Sequence, residues 1–322
     1  MSRIFVSGYG AVSPAGWSAA EMRAALADGK PLRMRAVPVP VVKPAFLAHP
    51  RLRRSSAITQ YAAAAMLEAV KNLKPDASRR VGIVVCLQSG CVQYTYRFFE
   101  EVLADPATAS PLLFPETVFA APASHLAALL ENTPLVSTLM GDPATFAQGL
   151  ALGADWLLQN RVDVAIVIGT EEISWLRADA LWHLEHAAII SAGAGAVALC
   201  RDAELSGGIE LSAITTPQSY SARQNRRQAA QAMRAELGRV ENALLCDGLG
   251  DSPRADAPEI AAWQDWPGAR LSPKKILGEG LMAAAAWQCV AACDAITAGQ
   301  FSAVNVSLVG ANQQAIGVRF QK

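Results

Sequence analysis

Val81-Gly82-Ile83-Val84-Val85-Cys86 and, farther on, Val164-Ala165-Ile166-Val167-Ile168 are runs without one charged or hydrogen-bonding side chain. A strand with one wet face alternates apolar and polar residues, so a run apolar at both parities reads as a strand covered on both sides. Residues 194–200 form a third such run. Helical patterns separate them. Residues 58–73 are amphipathic and closed by Pro75, residues 94–103 and 122–131 are shorter, and residues 144–158 supply a central helix after a short strand at 136–139. Upstream, a strand at 3–7 runs into Gly8-Tyr9-Gly10, and a helix at 21–28 stops at Gly29. Residues 32–54 hold several prolines and little periodicity, which predicts an irregular surface excursion.

From Gly207 the pattern starts again. A strand is expected at 209–214, a polar helix around 221–237 and a strand at 243–246, followed by a Gly/Asp/Pro loop to Pro258. An Ala-rich helix at 280–298 and an antiparallel pair at 304–309 and 315–319 close the chain. Two successive rounds of strand, helix and buried strand predict an α/β protein of duplicated halves, residues 1–205 and 206–322. Helices on both faces of apolar strands favour one compact unit with α/β/α/β/α layers.

At 52% hydrophobic and 17% charged the chain is too apolar to be disordered. Lys plus Arg and Asp plus Glu both number 28, so no global charge draws it to nucleic acid or a membrane surface, although local patches remain open. No apolar run is long enough for a membrane span and no signal peptide is evident, so a cytoplasmic protein is expected. The six cysteines (Cys86, Cys91, Cys200, Cys246, Cys289, Cys293) form no CxxC pair and sit mostly in apolar surroundings, which predicts buried thiols rather than a disulfide framework. No metal or cofactor site is suggested.

Six blocks, in order, resemble the β-ketoacyl-acyl-carrier-protein synthases of the thiolase superfamily. They are RIFVSGYGAVSPAG from Arg3, VGIVVCLQSG from Val81, SPLLFPETVFAAPASHLAALL from Ser110, VDVAIVIGTEEIS from Val162, LSPKKILGEGLMAAAA from Leu271 and VNVSLVGANQQAIGVRF from Val304. The resemblance implies a thiolase-like fold and a dimer whose central strands pair across a two-fold axis. It places Phe114, Thr117, Val118 and Met140 at the interface or the partner's acyl tunnel.

Condensation in that family needs a thiolate nucleophile, activated at a helix N-terminus, and two imidazoles that stabilise the enolate formed as malonate loses carbon dioxide. Counting back from Asp163 brings the nucleophile's turn to Pro143, and residues 137–144 contain no thiol. The first histidine's position is taken by Asp247 in Leu244-Leu245-Cys246-Asp247-Gly248. In Lys274-Lys275-Ile276-Leu277-Gly278-Glu279 the family's lysine and glycine remain, but Glu279 stands where the second histidine is expected. A carboxylate there repels an enolate. The four histidines present (His49, His125, His183, His186) lie outside the stretches around Pro143, Asp247 and Glu279.

Other readings stay open at this stage. Asp247 and Glu279 could form a new acid/base pair, and Cys246 could be a displaced nucleophile; solvated or Lys-paired carboxylates and a core thiol are the plainer alternatives. Glu171 and Glu172 match an acid that braces the family's interior. Arg223, Arg226 and Arg227, and likewise Arg51, Arg53 and Arg54, could dock an acidic acyl carrier protein or simply be solvated. The resemblance implies a non-catalytic subunit of chain-length-factor type, paired with an active ketosynthase and shaping its tunnel in polyketide, aryl polyene or fatty-acyl elongation. The alternatives are a malonyl-carrier-protein decarboxylase, against which the remoteness of Gln148 from the vacant position argues, and a stand-alone homodimeric scaffold that binds acyl chains or carrier protein.

Overall fold

A computed structural model describes residues 3–73, 78–130, 134–185 and 189–322. In chain order the elements are β1 (Phe5–Val12), α1 (Ala19–Asp28), α2 (Ala57–Val70), β2 (Val81–Leu87), α3 (Val92–Ala104), α4 (Ala121–Ala127), β3 (Leu135–Met140), α5 (Thr145–Leu158), β4 (Val164–Glu171), α6 (Trp175–Glu185) and β5 (Gly193–Cys200). There follow β6 (Ile209–Ile214), β7 (Gln218–Ser219), α7 (Arg226–Leu237), β8 (Leu244–Cys246), α8 (Pro253–Ala262), β9 (Arg270–Leu271), α9 (Pro273–Leu277), α10 (Met282–Thr297), β10 (Ala303–Val309) and β11 (Gln314–Gln321). Three readings, Pro75 as a helix stop, Glu131 as a helix end and His186, lie outside the described residues.

The strands run β3-β2-β4-β5-β1 and then, through a short β1–β6 pairing, β6-β11-β10-β8-β9. The second block repeats the first in reverse direction along the sheet. In each, two strands flank a third in parallel (β3 and β4 on β2; β9 and β10 on β8), and the next two join antiparallel. The fully buried runs predicted at β2, β4 and β5 are the centre of the first block, with every residue of β4 and β5 buried. Helix α2 covers one face of that block, against β1, β4 and β5. On the other face α10 touches β4 and β5 with one side and β8 and β10 with the other, so it occupies a middle layer with α5. Packing of α7 on β11, with α8 beside it, completes five layers.

Burial on every side dictates the composition of α10, which runs from Met282 to Ile296 without an exposed residue. Its small side chains let two sheets approach one helix. At Gly195 the fit is closest, since a Cβ there would stand 2.7 Å from the Ala286 Cβ and 2.9 Å from its carbonyl carbon. Gly29, at φ 71°, ends α1 as expected.

Several boundaries differ from the sequence pattern. Helix α7 starts at Arg226 rather than near Ser221, because Asn225 accepts from the Gln228 N–H while the Gln228 side chain bonds back, a capping box that sets the first turn. The expected loop to Pro258 is instead helix α8. Pro253 sits in its first turn, where no N–H partner is needed, and the Trp263 N–H to Glu259 carbonyl bond resumes the helix beyond Pro258. Helices α6 and α9 and the two-residue β9 gave no separate signal in the sequence, and α4 stops at Ala127. Residues 32–54 are irregular apart from two single-turn 3₁₀ segments, as their prolines predict.

Candidate functional site

The C-terminal ends of β3 and β8, the N-terminal turn of α8 and the approach to α10 converge on a small cavity. It leaves about 50 Å³ for the centres of water-sized occupants, and Pro143, Arg226, Glu259, Lys274, Glu279 and Leu281 are among its lining residues. Two of the three positions that the resemblance singled out, Pro143 and Glu279, therefore face one chamber, and the third, Asp247, adjoins it through Gly248.

Pro143 is buried in the turn that leads into α5, whose first bonds run from Phe146 N–H to the Pro143 carbonyl and from Thr145 N–H to that of Asp142. Beside it the Asp142 carboxylate accepts from the backbone N–H of Gln313 (2.9 Å) and Gln314 (3.3 Å), tying the turn to the β10–β11 hairpin. Burial raises its pKa against those backbone bonds. The turn holds no nucleophile.

Asp247 directly follows β8 and has no solvent exposure. The Ser272 hydroxyl donates to it at 2.6 Å, and the Arg270 guanidinium stands 3.8 Å away. Burial pushes its pKa up, opposed by those two partners and by the Leu249 N–H. Glu259, on α8, accepts from the Gly248 N–H at 3.1 Å. Burial first, and the Asp247 charge second, push the Glu259 pKa up to about 8. Glu259 is thus mainly protonated at neutral pH, and it is the carboxyl group with which Asp247 shares its surroundings.

Glu279 is held otherwise. Its Oε2 accepts from Lys274 Nζ at 2.8 Å and its Oε1 from the Leu281 N–H at 2.7 Å. Burial alone would lower the Lys274 pKa, but the carboxyls of Glu279, Glu259 and Asp256 carry it above its usual value. Lys274 is therefore a locked ammonium ion. Leu281 has φ 49° and ψ −114°, a backbone region that costs a side-chain-bearing residue about 1–3 kcal/mol. Its N–H bond to Glu279 helps hold it there. Behind this wall Arg177 donates to the carbonyls of Glu172 (3.0 Å), Ser191 (2.9 Å) and Glu279 (3.1 Å), and pairs with buried Glu171 at 3.5 Å. Glu171 also accepts from the Gln88 N–H at 2.6 Å, and Glu172 from that of Gln93 at 3.1 Å, the bracing arrangement expected of these two acids.

Asp247 and Glu279 do not form the acid/base pair considered above, for each is bonded to different partners. The sequence reading missed Glu259 and Asp256 as site residues, because their segment read as loop. Their three-residue spacing puts both on one helical face, a signal visible only once α8 is recognised. Cys246 points into the core, where its Sγ lies 3.4 Å from the Gln288 carbonyl, and burial raises its pKa well above the ordinary thiol range. All six cysteines are buried free thiols. Gln148 bonds Gln314 at 3.1 Å and does not line the cavity. His125 pairs with Glu116 at 2.9 Å, His183 lies 3.6 Å from Asp179, and the His49 ring accepts from the Arg51 N–H; none faces the cavity.

The basic trio divides. Arg223 and Arg227 are exposed, whereas Arg226 turns into the cavity wall and donates to the Ala255 carbonyl at 3.3 Å. The apolar set lies elsewhere. β3 is an outer strand of the sheet, paired on one side with β2, and its Met140 is 59% exposed. Phe114 and Val118 are exposed, and Thr117 is half-buried with its hydroxyl donating to the Phe114 carbonyl at 2.8 Å. Phe98 packs on Phe114, and Tyr96 meets Trp175 edge-on at 5.7 Å between centroids. Helix α3 has no buried residue at all.

No protein-family model matches the chain, and no curated protein matches it in sequence. Solved structures do match along its whole length. The ishigamide ketosynthase/chain length factor aligns at 18% identity and TM-score 0.86, covering 100% of this chain and 99% of that one. A β-ketoacyl synthase from Burkholderia phymatum aligns at 15% identity and TM-score 0.83 over 100% of both chains. A ketosynthase in complex with its chain length factor, from Xenorhabdus doucetiae, aligns at 13% and 0.80 over 99% and 98%. The five layers and repeated strand order are thus a thiolase-like fold. More narrowly, the fold is that of the ketosynthases and chain length factors.

Proposed function

We propose that this chain is a non-catalytic ketosynthase-like subunit of chain-length-factor type. The observation that carries this reading is the cavity chemistry. Where decarboxylative condensation needs a thiolate and two neutral imidazoles, the chain has Pro143, a buried Asp247 and a Glu279 neutralised by Lys274. Pro143 offers no nucleophile, Asp247 does not line the cavity, and both Glu279 oxygens are held by Lys274 and the Leu281 N–H. A carboxylate beside the reacting carbonyl opposes the negative charge that develops on it.

The outer edge of β3 supports the second half of the proposal. Among the described residues the outer edge of β3 pairs with no strand, and its Val136 and Met140 are exposed; such an edge is a liability on a free monomer and an interface when covered. Further exposed apolar side chains occur at Phe114, Val118, Tyr96 and Trp175, where Phe98 packs on Phe114 and Tyr96 on Trp175. The Xenorhabdus ketosynthase is complexed with its chain length factor, and another match is described as a type II ketosynthase with its acyl-carrier protein. The partner proposed here is an active ketosynthase that carries the complete Cys-His-His set, with an acyl carrier protein delivering extender units. Polyketide, aryl polyene or fatty-acyl elongation is the proposed setting, and Phe114, Thr117, Val118 and Met140 line the partner's tunnel. Arg223 and Arg227, with Arg226 excluded by its cavity position, are proposed carrier contacts. The reaction takes place in the cytoplasm.

Co-expression with a complete ketosynthase, followed by size-exclusion chromatography and intact-mass analysis, tests the pairing. A one-to-one complex whose products shorten when Met140→Trp or Val118→Phe is introduced, with assembly intact, is the expected result. A well-behaved monomer, a homodimer that ignores the ketosynthase, or malonyl-carrier decarboxylation by the chain alone overturns it.

A further inference from the structure

Charge in this balanced chain is unevenly placed. Seven of its 28 Lys and Arg (Lys30, Arg33, Arg35, Lys43, Arg51, Arg53, Arg54), and none of its 28 Asp and Glu, fall within residues 29–67. Lys30 pairs with Asp28, and the Arg35 guanidinium donates to the Ile276 carbonyl. Among the described residues, no carboxylate stands within ion-pair distance of Arg33, Lys43, Arg51, Arg53 or Arg54. Among the described residues these five cations therefore have no carboxylate partner.

The tip of this segment is Pro38-Val39-Pro40-Val41-Val42-Lys43-Pro44, and its valines are 91%, 103% and 80% exposed, with Met34 at 68% nearby in sequence. The base of the loop is nevertheless well anchored. Trp17 Nε1 donates to the Pro38 carbonyl at 2.7 Å, the Leu32 N–H to the Ile276 carbonyl at 3.0 Å and the Ala192 N–H to that of Arg35 at 3.2 Å. Trp17 itself packs edge-on against Tyr61. Prolines at three of the seven tip positions fix φ and remove three backbone donors that would otherwise need a partner on leaving water.

We propose that residues 33–43 form a docking tip for the surface of an anionic lipid bilayer, the valines entering the headgroup region while the flanking cations meet lipid phosphates. Peripheral binding of this kind scales with the apolar area inserted plus attraction to anionic lipid, and each cation near such a surface adds to it. Exposed valines beside cations that have no carboxylate partner match an anionic lipid surface, where phosphates overlie an apolar interior, and a fluid interface needs no fixed complementary shape. Among the described residues no helix is long and apolar enough to cross a membrane, so the association is with one leaflet's surface. The inference is independent of the chain-length-factor reading.

The test is co-sedimentation of the full chain, alone and in its ketosynthase complex, with phosphatidylcholine vesicles that contain or lack phosphatidylglycerol. Binding to the anionic vesicles that weakens at high salt is expected. The Val39→Ser/Val41→Ser/Val42→Ser variant should lower partitioning by about tenfold or more, and Arg33→Glu/Lys43→Glu should abolish it, with thermal unfolding and complex formation unchanged in both. The proposal fails if wild type ignores anionic vesicles or if the serine variant binds them as wild type does. It fails also if these substitutions leave vesicle binding intact but weaken affinity for an acidic carrier protein.

Discussion

Glu259→Gln is expected to stabilise the protein at alkaline pH and flatten its stability profile. In the folded chain the acid is fully buried beside Asp247, and its pKa is raised from 4.5 to about 8. A folded pKa above the unfolded one means that folding favours the protonated form. Stability from this group is complete below about pH 4.5, declines as the unfolded chain ionises, and is fully lost once pH passes about 8. Within that window the slope is about 1.4 kcal/mol per pH unit, and the whole span corresponds to roughly 4–5 kcal/mol. Asp247 shares the environment and takes part of the effect, which makes this span a ceiling. Gln keeps the size and polarity of the neutral acid but cannot ionise, so the variant should be about 2–4 kcal/mol more stable than wild type near pH 8 and nearly equal to it near pH 5. Asp142, Asp247, Asp256, Glu171 and Glu172 also have raised pKa values and slope the same way, so the quantity to measure is the difference between the two proteins. Urea unfolding at unit steps of pH across the window supplies it. Parallel curves for the two proteins would refute a protonated Glu259.

Lys274→Met should destabilise by about 3–5 kcal/mol, because it leaves the Glu279 carboxylate without its ammonium partner in a largely buried site. Pairing it with Glu279→Gln should recover much of the loss, and a double-mutant cycle by denaturant unfolding measures how much. Gly195→Ala should cost about 2–3 kcal/mol or prevent folding, since the new Cβ would stand 2.7 Å from that of Ala286 on a helix buried on all sides; Gly29→Ala, whose Cβ meets nothing but adopts a left-handed backbone, should cost only about 1 kcal/mol. Native iodoacetamide treatment should leave all six cysteines unmodified by mass spectrometry, because burial raises each thiol pKa and closes access. Rapid labelling of Cys246 alone would reinstate it as a displaced nucleophile.

Much of this fold is legible in one dimension because burial on both faces leaves a compositional trace. The apolar runs at Val81, Val164 and Ala194 announce their strands, and the alanine run at 280–298 announces the helix that the structure encloses on every side. The absence of a thiol from residues 137–144 and of an imidazole at positions 247 and 279 is equally readable, since it is a fact about residue identity. What identity alone leaves open is which groups meet. Glu279 turned to Lys274 five residues away, while Asp247 found Ser272, Arg270 and the environment of Glu259. Arg226 left its neighbours Arg223 and Arg227 for the cavity wall. These choices rest on how the chain folds back on itself, and on a loss of solvent that raises carboxyl pKa values. Desolvation is a property of the packed chain, so only the tertiary structure decides which acids are charged, which are neutral and which surface remains free for a partner.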